Sequence, residues 1–75
     1  MARKTKYNTG KPDWNADSIL ALRKHLELTQ SEMAERLGTR QQTISEWENG
    51  MYRPRGASVK LLSLVAEAVQ FRYKV

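Results

Sequence analysis

Apolar residues recur along this chain with the period of a helix. Ile19, Leu22 and Leu26 share one helical stripe. Asn15 is a good N-cap before them, and Asp17 falls in the first turn, where the helix dipole favours an acid. These signals predict a first helix over residues 16–26. Thr29 and Glu32 have the spacing of a capping box, with Leu28 and Met33 at the flanking apolar positions that staple such an end. A second helix therefore starts at residue 30, and Gly38 stops it after Leu37 by accepting a positive φ. Thr39 and Gln42 repeat the box, predicting a third helix to Asn49 before Gly50. After the loop "GMYRPRGAS", Ser58 is placed to cap a last helix through about Gln70. Its stripe of Val59, Leu62, Ala66 and Val69 is widened by Leu61, Leu64, Val65 and Ala68. No segment alternates with period two over strand length, so the expected fold class is all-α.

The pattern also predicts how the middle helices meet. Only a tight turn separates them, so the residue facing their crossing must be small, and Ala34 lies four before Gly38. Ile44 fills the space from the other side, with Met33, Leu37 and Trp47 completing the wedge. A short helix, a glycine turn and a second helix make the helix-turn-helix geometry, whose second helix enters the DNA major groove. On that helix Ile44 and Trp47 point one way, while Gln41, Gln42 and Glu46 can point another.

Size and charge narrow the picture. The 75 residues are expected to form a single domain, and chains of this size bury only about 60% of their unfolded surface. Cysteine is absent, which excludes a disulfide framework and a Cys/His zinc site. The net charge is +5, distributed as +4 over residues 1–12, −3 over 13–52 and +4 over 53–75. Basic charge at both ends fits a polyanionic partner, and it also serves solubility. Residues 1–13 read as a flexible basic arm and residues 14–75 as the folded domain. No apolar run nears the roughly 20 residues that span a bilayer, so a soluble cytoplasmic protein without a membrane partner is expected.

The segments "LTQSEMAERLG", "QQTISEWENG" and "RPR" resemble the phage-repressor and Cro-like helix-turn-helix regulators, the Xre family. The resemblance covers about residues 14–70 and implies a compact bundle of four or five helices that binds operator DNA, usually as a homodimer on a palindromic site. The single continuous last helix makes four the expected number. Gln30 matches a position that touches phosphate and braces the recognition helix. Gln41, Gln42 and Glu46 match base-reading positions, and Thr43 a backbone-contacting one. Arg23 and Glu48 match an inter-helix ion pair, and Arg55 a basic residue that approaches the minor groove. Two positions depart from the family pattern: Arg40 replaces a small capping residue, and Glu46 stands where a neutral or basic side chain is usual.

The chemistry of these residues allows more than one use. A glutamine amide carries donor and acceptor together and can pair with adenine N6 and N7. Two glutamines are also ordinary exposed polar residues. Arg40 can reach a phosphate or a base. Glu46 can accept from cytosine N4, repel phosphate, or pair within the protein. Tyr52 and Arg53 in the loop are candidates for backbone contact. The broad apolar face of the last helix serves either as core or, at its outer edge, as a homodimer seam. His25 has no companion ligand, the glycine turn lacks the lysine of a phosphate loop, and no acid has a nucleophile at a recognisable spacing. No enzyme, metal or cofactor is expected. Two functions follow: a sequence-specific double-stranded-DNA regulator, read as a repressor, and an antitoxin-like module that holds a toxin-like partner protein.

Overall fold

The computed structural model describes residues 14–71, so the expected arm at residues 1–13 and the residues after Phe71 lie outside the described residues. Four helices follow in order: α1 (Ala16–His25), α2 (Gln30–Leu37), α3 (Gln41–Glu48) and α4 (Ala57–Ala68). No strand occurs among the described residues.

Side chains set the first two helix starts. Asn15 Oδ1 accepts from the Ser18 amide at 2.9 Å, and Ser18 Oγ accepts from the Asn15 amide at 2.8 Å. Thr29 and Glu32 make the same reciprocal pair, at 3.1 and 2.8 Å. Each box satisfies two amides that the first helical turn would otherwise leave without an acceptor.

All four helices end on one hydrogen-bond pattern. A residue with positive φ turns the chain back, and the next amide donates to a carbonyl five residues upstream. These closing bonds are Leu28 to Arg23, Thr39 to Ala34, Met51 to Glu46 and Phe71 to Ala66, at 2.8–3.2 Å. The turning residues are Glu27 (φ 58°), Gly38 (73°), Gly50 (80°) and Gln70 (55°). Glycine reaches this region without the Cβ clash that Glu27 and Gln70 must bear.

That pattern corrects the third helix start. The expected box of Thr39 with Gln42 does not form, because α3 begins at Gln41 with Arg40 as an N-cap that makes no side-chain capping bond. Thr39 closes α2 instead, just as Leu28 closes α1 immediately before the N-cap Thr29. Ser58 is not the cap of α4 either. The cap is Gly56, at φ 58° and ψ −126°, a conformation open in practice to glycine alone. The helix stops at Ala68, ahead of the left-handed Gln70.

The core joins the helices from all sides. Ile19 and Leu22 from α1, Met33, Ala34 and Leu37 from α2, Ile44 and Trp47 from α3, and Leu62 and Ala66 from α4 are buried together with Trp14. Ala34 is buried on α2, the helix that packs against α3. Trp14 Nε1 donates to Ser63 Oγ on α4 at 3.0 Å, and the His25 and Phe71 rings lie 5.2 Å apart. Both ends of the described chain are thereby fastened to the bundle.

Candidate nucleic-acid interface

Beneath α3 lies a charged network. Arg23 Nε and Nη2 donate to the two oxygens of Glu48 at 2.7 and 2.9 Å, and Gln30 Nε2 donates to Glu48 Oε1 at 3.1 Å. Arg23 Nη1 also donates to the Leu28 carbonyl at 3.0 Å. One carboxylate at the end of α3 thus ties together α1 and α2, and Arg23 extends the network to the turn between them. The side chains are 18% (Arg23) and 8% (Glu48) exposed. Burial pushes the Glu48 carboxyl upward, but the hydrogen bonds from Arg23 and Gln30 outweigh it and hold the group below its ordinary value. The bond to Glu48 raises the Arg23 guanidinium further. A pair of this geometry fixes orientation, since a fork meeting two oxygens tolerates little rotation.

The other side of α3 faces solvent. At 3.6 residues per turn successive side chains are about 100° apart. With Ile44 and Trp47 buried, Gln42 lies opposite the core, and Ser45, Glu46 and Asn49 share its face. Gln41 and Thr43 flank that face on its two sides, the first exposed and the second half-buried. Ser45 and Asn49 were missed by sequence reasoning, although the same helical count places them beside Gln42. Gln42 Nε2 donates to Glu46 Oε2 at 3.1 Å, whereas the Gln41 side chain has no partner among the described residues.

Basic groups border the helix at both ends. Arg40 precedes it, and Arg53 and Arg55 follow in the loop, all exposed. Tyr52 is also exposed, at 61%, while Pro54 between the arginines is buried and anchors the loop. Among the described residues neither Arg40 nor Arg55 forms an ion pair. No group of three or more His, Cys, Asp or Glu among them is placed to hold a metal.

A rigid α2–turn–α3 unit with a polar outer face and cations at its rim is the geometry of a DNA reader. Comparison with known families agrees: residues 19–70 match the helix-turn-helix family. The chain belongs to that family. Within this helix-turn-helix protein α2 and α3 form the motif, and α1 and α4 complete the core that holds it. The family's fold is that of DNA-binding regulators. Similar curated proteins are the antitoxin HigA1 of Mycobacterium tuberculosis in strains CDC 1551 / Oshkosh and ATCC 25618 / H37Rv. Each is 37% identical over 59 residues, 79% of this helix-turn-helix chain. The matched region is 38% of the length of either relative.

No described helix is long and apolar enough to cross a membrane.

Proposed function

We propose that the protein is a sequence-specific double-stranded-DNA regulator, a repressor that works in the cytoplasm as a homodimer on a palindromic operator. The observation that carries this reading is the two-sidedness of α3: its inner end is held by Arg23 and Gln30 through Glu48, and its outer face is polar and exposed. A helix fixed this firmly can present base-reading groups at a set depth in the groove. Gln41, Gln42 and Glu46 are the proposed readers. Gln30, Arg40, Thr43, Tyr52 and Arg53 are the proposed backbone contacts, and Arg55 reaches toward the minor groove. Gln30 keeps one amide proton for a phosphate while the other engages Glu48.

Affinity across a salt series tests the division of labour. Gln41→Ala should weaken the preferred duplex about tenfold, relax one position in each half-site and leave the salt slope unchanged. Arg40→Ala should weaken preferred and scrambled duplexes alike and reduce the slope by about 0.9, the change expected for one phosphate contact. Equal losses on both duplexes for the glutamine variant would exclude sequence reading by Gln41.

The homodimer reading rests on α4. Ala57, Leu61, Leu64 and Ala68, spaced four, three and four, are all exposed and form a single stripe turned away from Leu62 and Ala66. Lys60 and Glu67 border the stripe on one side. In a two-fold antiparallel pairing Lys60 of one copy meets Glu67 of the other, so the edge is complementary to itself. A second reading, an antitoxin-like protein holding a toxin-like partner, draws on the similarity to antitoxin HigA1. Co-purification of a stoichiometric partner protein would favour it.

A further inference from the structure

We infer that Glu46 is a specificity-determining residue that acts with Gln42 as one unit, fixing which way the Gln42 amide reads and admitting at its own base pair only edges that offer an amino group. The inference rests on the reading of α3 as a base-reading helix. Its starting point is the contact from Gln42 Nε2 to Glu46 Oε2 at 3.1 Å on the outward face. An isolated glutamine is ambiguous, since rotating its amide exchanges donor and acceptor and suits it to opposite base edges. An ionised carboxylate removes the ambiguity because it only accepts. The amide must face Glu46 with its nitrogen, and its planar geometry then turns Oε1 away.

The result is an ordered array along the groove. Gln42 Oε1 is an acceptor on one side, the remaining Gln42 N–H is a donor beside it, and Glu46 supplies a second acceptor on the other side. At the pair facing Gln42 the acceptor–donor order matches adenine, which offers an N6 amino proton next to the N7 acceptor. At the pair facing Glu46 the carboxylate can be met by cytosine N4 or adenine N6. Guanine O6 and N7 and thymine O4 present acceptors there and are repelled. Gln41, flanking this face and unpaired among the described residues, keeps its amide free to turn and so makes the internal control.

Selection of bound duplexes from a random pool, using the full chain, provides the test with wild type, Glu46→Gln, Gln42→Ala and the double variant. Glu46 is partly exposed and the substitution keeps its shape, so thermal unfolding should verify an unchanged fold. Wild type should prefer an amino base opposite Glu46 by about tenfold. Glu46→Gln should lose that preference and also loosen the choice at the neighbouring pair read by Gln42, because the new amide can both donate and accept. The pair read by Gln41 should keep its preference. Adding Glu46→Gln to Gln42→Ala should change nothing further at the Gln42 pair. A Glu46→Gln profile identical to wild type, or a uniform gain of affinity on every duplex with no altered preference, would overturn the inference while leaving base reading by α3 intact. A wild type without any sequence preference would remove both.

Discussion

At the scale of single residues, Glu48 bears the most weight. Its carboxylate is nearly buried, accepts three hydrogen bonds and sits below its ordinary protonation range. Replacing it with glutamine leaves the Arg23 charge without its counter-ion. Removing one partner of a buried pair costs about 3–5 kcal/mol, and the 18% exposure of Arg23 lets water recover part of that, so Glu48→Gln should cost about 2–3 kcal/mol by chemical denaturation. The pH dependence has a definite sign. Because the folded group protonates less readily than the unfolded one, its contribution is complete above the ordinary glutamate range, about pH 4.3, and is lost as pH falls through the folded value. Wild type should therefore lose stability on acidification more steeply than Glu48→Gln, and parallel acid titrations of the two would exclude the assignment. The chemistry of the pair was legible from the resemblance at Arg23 and Glu48. The bond from Gln42 to Glu46 was legible only as a spacing of four, since sequence does not say whether exposed side chains on adjacent turns meet.

At the scale of elements, the helix ends divide sharply into those the sequence announces and those it conceals. Gly38 and Gly50 mark two of the four terminations because glycine is enriched where φ is positive. Glu27 and Gln70 perform the same turn without the marker residue, so α1 and α4 were expected to run one or two residues too far. The cost should be recoverable: Glu27→Gly relieves the Cβ clash, gives back part of the gain as unfolded-chain entropy, and should stabilise by roughly 0.5–1 kcal/mol. A thermal midpoint at or below that of wild type would show that Glu27 offsets its strain elsewhere. The misplaced cap at Thr39 has a different origin. Two signals, the end of α2 and the start of α3, overlap on three residues, and the spacing T-x-x-Q cannot reveal that Thr39 already serves the first. The α1–α2 junction carries the same order in Glu27, Leu28, Thr29, with the closing residue again directly before the N-cap.

For the whole molecule, the buried set was legible because each apolar stripe has one partner face: Trp14, Ala34, Ile44 and Trp47 all lie in the core. On α4 the spacing of Val59, Leu62, Ala66 and Val69 was legible as a stripe, but how far the widening residues join the core was not, since both sets are equally apolar. In the folded bundle Leu62 and Ala66 are buried, whereas Leu61 and Leu64 are 41% and 61% exposed. The seam proposed there makes a reciprocal prediction. In sedimentation equilibrium, Lys60→Glu and Glu67→Lys should each weaken self-association several-fold, and the double exchange should restore most of it. Monomeric behaviour of wild type at every concentration would remove the seam. Salt bridges at such a rim contribute little individually, so Leu64→Lys, which places a charge within the stripe, should be the more damaging variant.

The overlap at the two junctions also sets what this protein can become. Leu28 and Thr39 each finish one helix and stand directly before the N-cap of the next, so neither connection contains a spare residue. One inserted residue within α3 ahead of Ile44 would swing the positions beyond it by about 100°, carrying Ile44 out of the core and a polar neighbour into it. On the proposed reading of α3, diversification toward new operators is therefore confined to exchanges at fixed length on its outward face, at Gln41, Ser45 and Asn49 singly and at Gln42 and Glu46 together.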